Sequence, residues 1–244
     1  DGSYRIKPTK GEAMYQNTVF EGKTAYLAAH LDYWLSEKHF LQLTHTFSHY
    51  YRLTKSQLFT PFSSDADFMD RINQKNITGL SYKYVPNDQW TVLAFGKYYA
   101  AKVTGPAVVS GHGYLSVYED HTERTDALGA GIGSSYEFSK ELLAKLSYEK
   151  SYRLPNDREL FGDGDLEIGA NQLRPEHSEN LNVNLSWQPE TNGHALLAEG
   201  GFALRYIQDY IIRNVASTGA ATSKNHGKVL TLGGDFTQIG RAHV

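Results

Sequence analysis

The sequence predicts an all-β protein, a partial antiparallel transmembrane β-barrel of about nine strands, each long enough for a tilted outer-membrane span of roughly 9 to 11 residues. Three observations predict it. Apolar and polar residues alternate with period two along most of the chain, with no helical stripe. The face opposite the apolar one carries Asn, Ser, Thr and charged residues, the pattern selected by lipid on one side and water on the other. The connections alternate strictly between short and long, as in a barrel with short periplasmic turns and long extracellular loops.

Taken in order, Ala25, Leu27, Ala29, Leu31 and Tyr33 form the first apolar face. In Phe40 to Arg52 the outward set is Leu41, Leu43 and Phe47, interrupted by His45, and the inward set is Gln42, Thr44, Thr46 and Ser48. Two strands near Ile77 to Val85 and Trp90 to Val103 alternate less cleanly, because Lys97 and several tyrosines fall on either side. Leu142, Ala144, Leu146 and Tyr148 oppose Lys145, Ser147 and Glu149. The clearest strand is His177 to Gln188, with Leu181, Val183, Leu185 and Trp187 against Asn180, Asn182, Asn184 and Ser186. Leu196, Ala198, Phe202, Leu204 and Tyr206 oppose Glu199 and Arg205, and Leu230, Leu232 and Phe236 form a last face.

Short links are expected at Ser36 to His39, Pro86 to Gln89, Phe138 to Glu141 and Pro189 to His194. Long ones are expected at Leu53 to Asn73, Thr104 to Glu123, Leu154 to Pro175 and Tyr210 to Gly227. The long links then face outside, and the strand through Tyr26 to Trp34 runs inward. An odd strand count leaves an edge that hydrocarbon does not tolerate, so the barrel is expected to be incomplete in this chain.

Composition narrows the function classes. A net charge of -3 and a pI near 6.4 supply no basic face for nucleic acid. The absence of cysteine excludes disulfides, thiolate metal sites and a cysteine nucleophile. Aromatic residues make up 13% of the chain, fitting interfacial girdles, and no apolar run approaches the roughly 20 residues of a membrane helix. Asp1-Gly2-Ser3-Tyr4 is not a secretory leader, so the natural N-terminus is expected upstream. Residues 239–244, Ile-Gly-Arg-Ala-His-Val, resemble a translated sequencing adapter and are expected to be a non-native tail on a barrel portion spanning 1–238.

Two stretches carry a family resemblance. The first is Ser151-Tyr152-Arg153-Leu154-Pro155-Asn156-Asp157-Arg158-Glu159-Leu160-Phe161-Gly162, followed by Gly169-Ala170-Asn171-Gln172-Leu173-Arg174-Pro175-Glu176-His177-Ser178. It resembles the TonB-dependent receptors, in which a strand ends in Tyr-Arg-x-Pro, a loop carries Glu-Leu-Phe, and the next strand opens with Asn-x-x-Leu-x-Pro-Glu-x-Ser. The second, Asn225-His226-Gly227-Lys228-Val229 leading to Gly233, is similar to that family's Asn-x-Gly-x-Val opening of a later strand. The resemblance implies a barrel of about 22 strands plugged by an N-terminal domain. It also implies import of a scarce nutrient (ferric siderophore, haem, cobalamin or glycan) driven by an inner-membrane TonB complex. Plug and TonB box are not in this sequence. It marks Tyr152, Arg153, Pro155, Glu159, Leu160, Phe161, Gly162, Asn171, Pro175, Glu176 and Ser178 as motif residues.

Side-chain chemistry gives further expectations. Glu159 and Glu176 are placed to pair with Arg153 or Arg174 and hold the loop over the lumen. Pro155 and Pro175 end ladder pairing at the rim, and Gly162 permits a positive φ. Ligand contacts are expected from loop aromatics and histidine: Tyr50, Tyr51, Phe59, Phe62, His112 and Tyr114. Asp163, Asp165 and Glu167 suggest calcium less well than a solvated acidic turn, since the spacing of a calcium loop is absent. His45 and His49 share a strand face with α-carbons roughly 13 Å apart, too far to chelate one ion. Asp157 and Glu159 are a poor fit to a glycosidase pair, being already part of the motif. No catalytic motif, metal site or cofactor is expected, and the chain is not read as an enzyme. A passive outer-membrane channel or adhesin-like barrel, and a soluble β-rich binding domain, remain alternative readings.

Overall fold

The computed structural model describes residues 2–6, 16–58, 70–110, 117–162, 167–191, 194–217, 219 and 221–242. In chain order the elements are β1 (Gly2–Ile6), β2 (Gln16–Ser36), β3 (His39–Leu58), β4 (Arg71–Asn87), β5 (Trp90–Ser110), β6 (Val117–Ser139) and β7 (Leu142–Arg153). There follow α1 (Asp157–Phe161), β8 (Glu167–Ile168), β9 (Glu176–Trp187), β10 (Glu190–Thr191), β11 (His194–Gln208), β12 (Ile211–Val215), β13 (Ala221–Asn225) and β14 (Lys228–Ala242).

Nine long strands, β2 to β7 with β9, β11 and β14, form one antiparallel meander, to which the short β1 and β10 add at β2 and β11. Among the described residues no ladder joins β2 to β14, so the sheet is an open segment of wall. A second sheet, in the order β12-β13-β8, lies apart from it. Tight turns close the hairpins at Ser36↔His39, Asn87↔Trp90 and Ser139↔Leu142, as the short links predict. Residues 239–242 lie in β14, whose register with β11 runs to His194↔Ala242.

The register shows why the alternation is so regular. One row crosses all nine strands as Tyr33, Leu41, Tyr82, Ala94, Ile132, Tyr148, Leu181, Leu204 and Leu232, every member apolar or aromatic. The adjacent row, one residue along each strand, reads Asp32, Gln42, Ser81, Phe95, Gly131, Glu149, Asn180, Arg205 and Thr231. A period of two sends these rows to opposite faces. Large apolar residues on the first face, including Leu31, Leu80, Leu128, Leu146, Val183, Leu185, Leu232 and Phe236, are exposed, with no second protein layer over them among the described residues. Lipid is the solvent that suits such a face. His45, the interruption on that face, is satisfied by the Thr78 hydroxyl at 2.9 Å.

Aromatic rings gather toward the short-turn ends. Trp90 donates through Nε1 to Ser134 Oγ at 2.8 Å, Tyr136 and Phe138 meet edge to face, and His39 stacks on Tyr82 and Tyr84. This is the arrangement of an interfacial girdle, with a ring in the apolar edge and a polar atom toward water.

Several strands are longer than the expected span of about ten residues. β5 has 21 residues and β6 has 23, so most of the expected link from Thr104 to Glu123 is ladder, paired out to Ser110↔Val117. Likewise β3 continues to Leu58. Backbone pairing thus continues past the point where alternation fades.

Candidate functional site

The feature that departs from a plain wall is the link between β7 and β9, which folds back over the inner face. Pro155 is buried just past the end of β7, and Asn156 then caps α1: its side chain accepts from Glu159 N at 2.9 Å, while the Glu159 carboxylate accepts from Asn156 N at 2.9 Å. The reciprocal pair satisfies two amides that the start of a helix leaves open. The helix buries Leu160 and Phe161 together with Leu154 against Tyr99, Ala101 and Val103 of β5. Those three β5 residues alternate on the polar, inner side of the sheet, so α1 covers the inner wall. Gly105 on the same side makes room for it; a β-carbon there meets the Phe161 ring at 2.7 Å. Gly162 ends the helix at φ 72°, with its amide bonded to Arg158 O at 2.8 Å.

Charged groups fasten this cap. Arg153 grips Glu176 through Nε and Nη2, both at 2.8 Å, and reaches Glu159 at 3.0 Å. Glu176 is buried, and Oε1 also accepts from the Ile211 amide at 2.6 Å. It is the outermost residue of β9, beyond the apolar band. Burial alone pushes its carboxyl up, but the hydrogen bonds from Arg153 and Ile211 outweigh that and hold it below the usual carboxylate range. Glu167 bridges Arg158 and Arg213, joining α1 to the β12–β13 hairpin. Asp157 lies 3.8 Å from the buried Arg71 at the start of β4.

The two sequence stretches singled out above meet at Asn225. Its Oδ1 accepts from Arg174 N at 2.9 Å, and its Nδ2 donates to Arg174 O at 3.0 Å and Asp209 O at 2.7 Å. The side-chain amide thus acts as a short stretch of β-strand between two loops. Arg174 itself pairs with Asp209 at 2.5 Å rather than with either glutamate.

The expected contact residues fall as follows. Tyr50 and Tyr51 lie in β3, not in a loop, and being adjacent on a strand they face opposite sides. Tyr50 shares the inner face with Gln42; Tyr51, on the outer face, donates its hydroxyl to Asp70 at 3.0 Å, which raises its pKa. Phe59, Phe62, His112 and Tyr114 lie outside the described residues, as do Asp163 and Asp165. Of the motif residues, Pro155, Leu160, Phe161, Gly162, Glu176 and Ser178 are buried, Tyr152 packs against the cap core, Pro175 is half-buried and Asn171 is exposed in a turn. Ser178 Oγ lies 2.9 Å from Ser151 Oγ. His49 is engaged by Gln74 and His121 by Glu123. Among the described residues no three metal-ligating side chains converge. Sequence reasoning missed Arg71, Gly105, Asp209 and Arg213, which lie in other links and strands with no motif to announce them.

Below the cap the inner wall is polar. Lys97 of β5 reaches Glu149 of β7 at 2.7 Å across β6, where Gly129 and Gly131 leave the path clear. Asn180 donates to Ser151 Oγ, and Asn182 to Ser147 Oγ.

A wall with a lipid-facing exterior, a hydrated interior and a loop folded onto its inner side defines an outer-membrane barrel segment. The chain matches the TonB-dependent-receptor-like β-barrel family over residues 2–242, and it belongs to that family. TonB-dependent receptors are transporters rather than enzymes, and their barrels lie in the outer membrane of Gram-negative bacteria. No curated protein matches the chain in sequence.

Solved structures agree on the fold. A double mutant of the Serratia marcescens hemophore receptor HasR, in complex with its hemophore HasA and heme, is 16% identical over 94% of this chain and 41% of its own, with a TM-score of 0.63. The FrpB iron transporter from Neisseria meningitidis is 14% identical over 94% of this chain and 35% of its own, with a TM-score of 0.67. The copper transporter OprC is 12% identical over 95% of this chain and 38% of its own, with a TM-score of 0.72. The chain therefore spans well under half the length of these relatives.

Proposed function

We propose that this chain is part of the barrel of a receptor that imports a scarce, bulky nutrient across the outer membrane, with energy supplied by an inner-membrane TonB complex acting through a plug domain. The observation that carries it is the family match along nearly the whole wall, joined to a polar inner face. Among ferric siderophore, haem, cobalamin and glycan, the iron-bearing ligands are favoured by the HasR and FrpB similarities. Tyr50, on the inner face above the membrane, contacts the ligand together with Phe59, Phe62, His112 and Tyr114, and the motif residues hold the cap that borders its path.

Growth of a host dependent on the complete receptor, supplied with one iron, haem, cobalamin or glycan source at a time, tests the reading. Growth on an iron-bearing source that stops when TonB is deleted is the expected result. Uptake that continues without TonB overturns it in favour of a passive channel.

A further inference from the structure

β6 rises past one of its neighbours. Its ladder with β7 ends at Ala130↔Lys150, whereas β5 stays paired with it up to Ser110↔Val117. Beyond Lys150, β7 departs with β9: Tyr152 packs beside Tyr99 of the cap core, and Arg153 pairs with Glu176. The side of β6 that β7 leaves, from Val117 to Gly129, has no ladder partner among the described residues. Leu128 stands about eleven residues from the turn at Ser139; at roughly 3.3 Å each and a tilt near 40° that is a climb of about 28 Å, past an apolar band about 25 Å tall. The open edge therefore lies outside the membrane.

The ladder shows which backbone groups are left over. The carbonyls of Tyr148 and Lys150 lie against the Gly131 and Gly129 positions, and on the other side of β6 the Glu137 amide donates to Gln89 O. Even-numbered residues of β6 thus bond toward β7 and odd-numbered ones toward β5. Above Ala130 the amides and carbonyls of Asp120, Thr122, Arg124, Asp126 and Leu128 aim out of the sheet with no strand to receive them. Such a row is a template for another strand, which native edges blunt with proline, lysine or short length. Between Val117 and Gly129 this edge is long and carries neither residue.

Charge selects the strand that fits. Glu123, His121 and Glu119 alternate on the inner side, opposite Val103, Gly105 and Ala107 of β5, which carry no charge. Glu123 meets His121 at 2.7 Å, and Glu119 is exposed without an ion pair among the described residues. On the outer side Lys102 stands opposite Arg124, so Asp120 and Asp126 are balanced there. The inner carboxylates are not. A second copy of the chain presents the same carboxylates, and like charges directly opposite on paired strands repel.

We propose that the open edge of β6 is a strand-addition site for a protein partner outside the cell. The partner lays an extended segment antiparallel to β6, as the rest of the wall is paired, with Lys or Arg at the alternate positions facing Glu119 and Glu123. The open backbone groups supply the pairing and the uncompensated carboxylates name the occupant's charge. The inference rests on the outward placement of the long hairpins and not on which nutrient is carried.

The probe is a short peptide alternating lysine with valine, offered to the complete receptor in nanodiscs. Fluorescence anisotropy reads its affinity, and hydrogen exchange at single-residue resolution reads its place. It binds and slows exchange of the Asp120, Thr122, Arg124 and Asp126 amides, while those of His121 and Glu123, already bonded to β5, are unchanged. Glu119→Gln and Glu123→Gln each weaken it about threefold, the size of one cross-strand ion pair, and Asp88→Asn, the same charge change at a short turn, has no effect. Thr122→Pro removes an amide hydrogen that no strand uses and abolishes binding. Absence of protection at the four amides overturns the proposal. So does equal binding of a peptide with glutamate for lysine, or of one N-methylated at its valines, the residues whose amides meet β6. Protection that needs no peptide and grows with receptor concentration also overturns it, assigning the edge to a second copy. Should Thr122→Pro fail to fold, the N-methylated peptide on the unsubstituted receptor decides the matter.

Discussion

The wall and the cap are built from the same chain by opposite means. Along the row from Tyr33 to Leu232 the wall asks only that each outward side chain be apolar; leucine, isoleucine, alanine and tyrosine all serve. The cap depends on individual groups: Phe161 fits because position 105 is glycine, and Arg153 works because two carboxylates meet it. A membrane supplies the wall with one undirected force over a wide surface, whereas a loop in water must make its own core and satisfy its own charges. The wall should therefore fail by wrong polarity and the cap by wrong shape.

The largest expected effect comes from shape. Phe161→Ala empties the middle of the cap core and costs about 3 to 4 kcal/mol there, in the range for buried phenylalanine. Hydrogen exchange of the complete receptor should show loss of protection in 154–162 and at the outer half of β5, with β9 below Ser178 unchanged. Loss spread evenly over the nine strands would mean that cap and wall are one cooperative unit, and the contrast would fail.

Polarity comes next. Val183→Arg, on the lipid side and well inside the band, should cost about 2 to 4 kcal/mol, and Asn182→Arg, one residue away on the hydrated side, should cost much less. Unfolding midpoints in vesicles, compared at equal denaturant slope, read the difference directly. Equal losses would contradict the assignment of faces.

The same contrast explains what was legible in the sequence. Leu181, Val183, Leu185 and Trp187 against Asn180, Asn182, Asn184 and Ser186 declare β9, since each face meets a single solvent. β5 was obscure for a reason now visible: its outer half is apolar on the inner side as well, where Tyr99, Ala101 and Val103 lie under α1. Alternation fails where a second protein layer replaces water. The continuation of β5 past Thr104 was illegible for the same reason, because Gly105 and Ala107 on its inner side also lie against the cap. Within the cap the motif announced Arg153, Glu159 and Glu176, whose mutual pairing follows from charge and proximity. It did not announce Arg213, which meets Glu167 from 46 residues away, or the part Asn225 plays beside Arg174. Such contacts are set by how two long loops cross, which neither period nor local spacing encodes.

The smallest expected effect separates the local from the tertiary support of the cap. Asn156→Ala removes the helix cap and should cost about 1 kcal/mol. A helix of five residues has little stability of its own, so the loss appears as faster exchange of the Glu159 amide rather than as a change in the wall. Glu159 is shared between the Asn156 amide and Arg153, whereas Arg153 holds Glu176 through two separate nitrogens. The Arg153–Glu176 pair should therefore survive, and Asn156→Asp, which keeps the acceptor, should restore the slower exchange. If the alanine variant also freed the Ile211 amide, which Glu176 holds from the far side, then α1 rather than the arginine pair would be the element that positions both loops.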